Sequence, residues 1–356
     1  MQPVVAPSST STAEVRARRQ APSHARIPRV VAIGGGTGLP VVLRGLANAM
    51  GPVADLCRGA RAADTLSAIV TMTDDGGSSG RLRRDLGMLP PGDIRNCLAA
   101  LSCDEPFERL LGHRFAAAET WLDGHAMGNL MLAALAQMTG NFAEAVEEMR
   151  RLLKARGCVF PSTLENVTLR GELESGEFIE GETAIVRHPA AIRRLALARP
   201  ARPCPDALRA LINADVVVVG PGSLYTSVLP NLLVDGVTST LTAVQAVRIY
   251  VANLMTEPGE TDGLTLDDHL RVLREHTGRD LFDFVLVNGT PPTAQQLARY
   301  RSEGAEFIPS ERYVPSAGGA GVAEADLLDT SGPQIRHDPA KLAAAILRLG
   351  PACRPA

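Results

Sequence analysis

Val30-Val31-Ala32-Ile33-Gly34-Gly35-Gly36-Thr37-Gly38 is the stretch on which the reading of the whole chain turns. Arg29–Ile33 reads as a short strand, unbroken in apolar residues from Val30 on, as in strands buried on both faces of a parallel sheet. It stops in glycines around one threonine, and Leu39–Met50 then reads as a helix. Such a junction sets backbone N–H groups at a helix N-terminus, where an anion binds. Gly35, Gly36, Thr37 and Gly38 are therefore candidate phosphate contacts, Thr37 alternatively serving only as a cap. The dinucleotide fingerprint is met in part: Gly34 and Gly36 fit G-x-G, but Leu39 stands where the third glycine belongs. The acidic residue expected about 20 residues on would be Asp55, which lies in no convincing strand, so a nicotinamide-dependent oxidoreductase ranks last.

The same grammar recurs downstream. Leu66–Thr73 reads as a strand ending in Asp74-Asp75-Gly76-Gly77-Ser78-Ser79-Gly80. Asp74 and Asp75 suit ribose or sugar hydroxyls, a base edge or a divalent cation. A plain Asx turn is the alternative, but a turn does not need five small residues in a row. Ser78 and Ser79 suit phosphate oxygens, and Arg81–Asp85 adds positive charge close by. Leu89–Asn96 is a Pro/Gly turn entering a helix that runs to about Arg114, with Asp93 as its cap and Arg95 and Asn96 turned to the same pocket. Asp123–Asn129 opens a helix at Leu130–Thr139, with another at Asn141–Lys154. There Asn129 is a candidate contact, and His125 is either a phosphate contact, a proton carrier or a structural cap.

A third junction follows the helix Ala207–Asn213 and the strand Ala214–Val219. Here Gly220, Gly222, Ser223, Tyr225 and Thr226 are candidate ligand contacts. Ile249–Asn253 opens into Met255–Gly263, bringing Asn253 and Thr256. After a helix at Thr265–Glu275, Phe282–Val287 ends in Asn288-Gly289-Thr290. Strands that finish in small or polar residues and alternate with helices predict a Rossmann-like α/β fold, a mostly parallel sheet with flanking helices whose ligand lies outside the strand carboxyl ends. The stretch of about 159–187 departs from this: Val167–Leu173, a turn at Glu174–Gly176 and Glu177–Ile185 predict a small β-hairpin insertion, a flap poor in catalytic groups. Residues 29–349 are read as one domain, with 1–28 a disordered extension and 350–356 a tail.

Composition sets the outer limits. A net charge of −3 with no long basic block argues against nucleic acid. The six cysteines form no CxxC pair or regular ladder, which predicts free thiols and no zinc or disulfide framework. No apolar run reaches the length of a membrane span, and the N-terminal residues lack the core of a secretory signal, so the expected location is the cytoplasm.

Read in order, IGGGTG, TDDGGSSGRLR, PPGDIRN, GHAMGN, VVGPGSLYTS, NLMTEPGETDG and SEGAEFI closely resemble the bacterial gluconeogenesis-factor (YvcK-like) family. That family lies within the wider superfamily of 2-phospho-L-lactate transferases (CofD-like). The resemblance runs from about Pro28 to Leu349. It implies a Rossmann-like fold binding a UDP-sugar, notably UDP-N-acetylglucosamine, and a role linking carbon source to cell-wall synthesis and cell shape. It also implies that Tyr300 and Arg336 help hold the ligand, which is physically sensible: an aromatic face stacks on uracil and a guanidinium grips a pyrophosphate. Arg58–Ala63, the N-terminal extension and Ala252 depart from the family's usual form. The expected partners are the nucleotide sugar, a cell-wall regulatory protein and a second copy in a homo-oligomer, a dimer. No cofactor is required and no catalytic residue assigned under this reading. The alternative, a phospholactate-type transferase acting on a nucleotide-activated donor, would use Mg²⁺ at the carboxylates.

Overall fold

A computed structural model describes residues 27–51, 65–188, 192–309 and 319–350. The expectations for the N-terminal extension, Asp55, Arg58–Ala63 and the C-terminal tail fall outside these residues. Ten strands are described: β1 (Val30–Gly34), β2 (Leu66–Val70), β3 (Cys158–Pro161), β4 (Leu169–Leu173), β5 (Phe178–Glu180), β6 (Ile192–Leu197), β7 (Val216–Val219), β8 (Val247–Val251), β9 (Phe284–Asn288) and β10 (Gly321–Ala325). Seven form one parallel sheet in the order β10-β9-β8-β7-β1-β2-β3. The chain lays down β1, β2 and β3 to one side and resumes with β7 on the other side of β1. The direction of winding therefore reverses between β1 and β7, the point where open α/β sheets bind ligands.

Burial explains the unbroken apolar runs. Val30 and Ala32 of β1 belong to one hydrophobic core, while Val31 and Ile33 belong to the core on the opposite face. A central strand covered on both sides has no polar face to show. The covering helices are α1 (Gly38–Ala49), α2 (Gly77–Leu86), α3 (Gly92–Leu101), α4 (Glu105–Gly112), α5 (Met127–Thr139), α6 (Phe142–Leu152), α7 (Glu182–Arg187), α8 (Pro205–Ile212), α9 (Leu229–Leu232), α10 (Val237–Ala243), α11 (Leu266–Thr277), α12 (Ala294–Ser302) and α13 (Pro339–Arg348). Helix α13 packs tightly on α1, where a Cβ on Gly45 would stand 1.9 Å from the Pro339 carbonyl oxygen. Among the described residues no helix is long and apolar enough to cross a membrane.

Three local expectations are corrected. The helix expected to run to Arg114 breaks at Ser102–Asp104, because Asp104 accepts a bond from the Phe107 N–H and caps a new helix. The hairpin β4–β5 forms in the register Arg170↔Glu180, but its return arm ends at Glu180 and Glu182–Arg187 is helical. A third strand, β6, pairs with the other edge of β4, so the insertion is a three-stranded antiparallel sheet. The start of the stretch assigned to it, β3, belongs instead to the main sheet beside β2.

Candidate functional site

The loops after β1 and β7 meet at the reversal point. A Cβ on Gly38 would lie 2.2 Å from the Pro221 carbonyl oxygen, so only glycine lets the two backbones approach this closely. Gly35 is equally confined, 2.6 Å from the Thr71 methyl and 2.8 Å from an Asp93 oxygen. Gly36 and Gly220 have φ of +59° and +77°, a region that other residues seldom enter. After Gly222 the chain makes a π-helical turn, Leu224–Val228, before α9. Such turns cost hydrogen-bond geometry and gather at functional sites. Asn231 fixes this one, donating to the carbonyls of Gly34 at 3.1 Å and Ser227 at 2.8 Å.

Helices α1, α2, α3 and α5 all begin at this edge, and none has a side-chain cap at Thr37, Gly76, Pro91 or Ala126. Helices α4, α6, α11, α12 and α13 are capped by Asp104, Asn141, Thr265, Thr293 and Asp338, while α7–α10 also lack a side-chain cap. The uncapped starts at this edge are tied to one another. Gly36 N–H donates to Asp93 Oδ2 at 2.8 Å, and Gly92 N–H donates to Ser79 Oγ at 3.1 Å. Ser78 Oγ lies 2.9 Å from His125 Nδ1 and accepts from Asn129 Nδ2 at 3.0 Å. With these helix starts gathered at one edge, the first-turn amides not already bonded to a side chain, as Gly92 is to Ser79, suit phosphate.

Next to it opens a cavity of about 540 Å³. Its lining includes Gly36, Thr37, Gly38, Gly222, Ser223, Asn253, Thr256, Tyr300 and Arg336, together with the apolar Val41, Leu254, Met255, Ala305 and Ile335. Tyr300 is half-buried, its hydroxyl accepting from the Ile335 N–H at 3.1 Å, so it shapes the wall that carries the exposed Arg336. Asn253 pairs with both sides of the Gly222 residue, accepting from its N–H and donating to its carbonyl, each at 3.0 Å. Thr256 is tied to Glu306, its hydroxyl accepting from the Glu306 N–H at 2.8 Å. Both residues hold the loops in place. Ser223 donates to Glu257.

On the other side of Gly35 the carboxylates crowd together. Packing around Asp93 raises its carboxyl to about 6 although part of it reaches solvent, the Gly36 amide and Arg95 opposing the rise. Asp93 is thus not the helix cap the sequence suggested but the link between α1 and α3. Glu182, on α7, is raised to about 9, by burial first and then by Asp74, Asp93 and Asp75. Thr73 Oγ1 donates to it at 3.4 Å. Glu260 is raised to about 8 by burial and by Glu257. Asp74 accepts from the Gly76 N–H at 2.9 Å, and Asp75 accepts from the Thr183 N–H at 2.9 Å and from its hydroxyl. The two aspartates therefore serve different partners. Among the described residues no three His, Cys, Asp or Glu side chains form a group able to hold a metal ion.

The remaining candidates divide. Arg95 is buried with its guanidinium on Asn96; burial and then Arg114 lower its pKa, while Asp93 and Asp74 oppose. His125 is buried and its pKa lowered, by desolvation first and then by Arg81, which favours a neutral ring bonded to Ser78. Ser78, His125 and Asn129 thus join α2 to α5. Tyr225 is a correction: it packs in the core with its ring edge-on to His276, 6.3 Å between centroids, and does not line the cavity. Thr226 is buried on the Glu260 side. Sequence reasoning missed Glu182, whose insertion looked poor in chemistry, and Asn231, which no local pattern marks.

The profile described as 2-phospho-L-lactate transferase CofD matches residues 30–328. A putative gluconeogenesis factor of Nostoc sp. is 43% identical over 335 residues, 92% of this chain and 70% of the relative. The gluconeogenesis factor of Halalkalibacterium halodurans is 42% identical, covering 89% and 95%, and that of Bacillus subtilis is 40% identical, covering 90% and 98%. The crystal structure of a UPF0052-family protein from Bacillus halodurans superposes with a TM-score of 0.82 at 40% identity, covering 90% of this chain and 99% of that one. Its parallel sheet, its glycine-built reversal point and these likenesses together place the chain in the CofD family, among the gluconeogenesis factors (YvcK-like).

Proposed function

We propose that the protein binds a UDP-sugar, UDP-N-acetylglucosamine, in the crevice between the β1 and β7 loops and works as a regulatory protein without turnover. The observation that carries this reading is the junction of two unlike surfaces: amides of uncapped helices beside a cavity whose lining mixes apolar side chains with Tyr300 and Arg336. Phosphates suit the amides of Thr37 and Gly38, beside the Gly36 and Gly222 amides that Asp93 and Asn253 hold, with Arg336 as a charged clamp. The base suits the apolar part of the cavity, Val41, Leu254, Met255, Ala305 and Ile335. Sugar hydroxyls suit the carboxylate side, where Asp74 and Asp93 accept hydrogen bonds. A nucleotide sugar has all three chemistries in one molecule. A sensor of this kind would link carbon metabolism to cell-wall synthesis and cell shape in the cytoplasm, through a cell-wall regulatory partner and as a homo-oligomer.

The family's transferase activity supports a second reading, with Mg²⁺ at the carboxylates. As arranged, Asp74 and Asp75 turn to separate partners, and this pair does not fit one ion. His125, a candidate base, is committed to Ser78. A thermal-shift screen of nucleotide sugars, with product analysis afterwards, separates the readings. Stabilisation by UDP-N-acetylglucosamine recovered intact, with or without Mg²⁺, supports the sensor. A strict Mg²⁺ requirement with a consumed donor supports the transferase.

A further inference from the structure

The loop after β8 brings a carboxylate to the polar part of the cavity. Glu257 lines it together with Ser223 and Asn253. Ser223 Oγ donates to Glu257 Oε2, and Asn253 Nδ2 donates to Oε1 at a long 3.4 Å. The Glu257 main chain is pinned as well, its N–H donating to Thr261 Oγ1 at 2.8 Å. A carboxylate offers about four acceptor positions, so these two neutral partners leave it room for more donors. Among the described residues no Lys or Arg pairs with it, whereas Glu303, the other acid of the lining, is exposed and reaches Arg299 at 3.6 Å. Burial accordingly raises the pKa of Glu257, and the Ser223 bond opposes the rise. A half-buried carboxylate held in place without a cation gains from a ligand that brings O–H or N–H donors.

The position of Glu257 narrows the donors. Gly38 packs against the Pro221–Gly222 peptide, its Cβ position 3.4 Å from the Gly222 nitrogen, and Ser223 is the next residue. The carboxylate therefore lies one hydrogen-bonded side chain from the backbone that meets the Thr37 and Gly38 amides. In a nucleoside diphosphate the ribose comes between phosphate and base. Its cis-diol presents two O–H donors side by side, a match for the two oxygens of one carboxylate. We propose, resting on the UDP-sugar reading above, that Glu257 selects the ribose: its carboxylate accepts from the 2′- and 3′-hydroxyls while Ser223 and Asn253 hold it in place. Hydrogen bonds to a charged acceptor are stronger than neutral ones, and a site built for a hydroxyl rejects the analogue lacking it.

Calorimetry of the wild-type protein with UDP, 2′-deoxy-UDP and 2′,3′-dideoxy-UDP tests this. UDP should bind at least about tenfold more tightly than the dideoxy analogue, with 2′-deoxy-UDP between them. Glu257→Leu removes the acceptor at similar size and should bring the ratio of UDP to dideoxy-UDP affinity close to one. A role confined to anchoring Ser223 would weaken both ligands alike and leave that ratio at its wild-type value. The unliganded melt shows whether Glu257→Leu folds. If it does not, Glu257→Gln, which keeps a neutral oxygen for Ser223, should lower the ratio by about threefold or more. Equal affinity for UDP and dideoxy-UDP in the wild type, or an unchanged ratio in the folded variant, overturns the role of Glu257 and leaves the UDP-sugar reading intact. No heat from UDP or UDP-N-acetylglucosamine overturns both.

Discussion

Replacing Gly38 by alanine puts a methyl group where the β1 and β7 loops touch. Its Cβ would stand 2.2 Å from the Pro221 carbonyl oxygen and 2.8 Å from the carbonyl carbon, where ordinary contact begins at 3.4 Å. Both neighbours are backbone, so no side chain can swing aside. The loops must part by about 1 Å in a close-packed region. Overpacking of this kind costs about 1–3 kcal/mol, offset by up to about 1 kcal/mol from alanine's better helix propensity at the first position of α1. The net expectation is a loss of about 1–2 kcal/mol in urea unfolding. Binding should also weaken, because donors displaced by about 1 Å lose alignment with the phosphates, and one misaligned hydrogen bond to a charged group is about 1.5–3 kcal/mol, on the order of tenfold to a hundredfold in affinity. Gly112→Ala is the control: it sits in a helix with open space around its Cβ, and should be neutral or slightly stabilising. A Gly38→Ala protein as stable as the Gly112→Ala control, binding UDP-N-acetylglucosamine like the wild type, would refute the close-approach argument.

Asp93 holds its proton in the folded protein up to about 6, above the ordinary 3.8, so unfolding becomes easier as pH rises through that window. Asp93→Asn keeps an oxygen for the Gly36 amide and removes the charge. Its gain over wild type should be absent below pH 4 and grow toward pH 7, to at most roughly 3 kcal/mol; a flat difference across denaturation curves at several pH values argues against it. Glu182, raised from 4.5 to about 9, works in the same direction, so Glu182→Gln should flatten the decline in stability between those values, read from melts in matched buffers. Asn231→Ala leaves the Gly34 and Ser227 carbonyls without their donor at a fully buried position and should cost about 2–4 kcal/mol in urea unfolding. Arg336→Ala should weaken nucleotide binding while the unliganded melt barely moves, since that side chain is exposed; a melt many degrees lower marks it as structural.

The parts of the fold visible in the sequence were those carried by local chemistry. β1, β2, β7, β8 and β9 announce themselves as apolar runs ending in small or polar residues, because a doubly covered parallel strand has no polar face. Strands β3 and β10 lie at the two edges of the sheet, and β10, Gly321–Ala325, is half-exposed, includes Glu324 and so shows no apolar run. Glu182–Arg187 looked like the return arm of a hairpin, yet Asp75 takes bonds from the Thr183 N–H and hydroxyl across 108 residues and serves the first turn of α7. A partner so distant leaves no local trace. The same limit explains Tyr225, whose place in a hydroxyl-rich loop suggested a ligand, whereas the π-helical turn directs its ring into the core. Asp93 was noticed as a polar residue at a helix start, but its partner lies 57 residues earlier on the glycine loop.

The most direct measurement is calorimetric titration of the unmodified protein with UDP-N-acetylglucosamine, alongside NAD, followed by recovery of the nucleotide sugar. The account predicts saturable binding of UDP-N-acetylglucosamine, much weaker binding of NAD, and the sugar nucleotide returned intact. No heat from UDP-N-acetylglucosamine, or binding of NAD as tight or tighter, would contradict it, and so would a consumed donor.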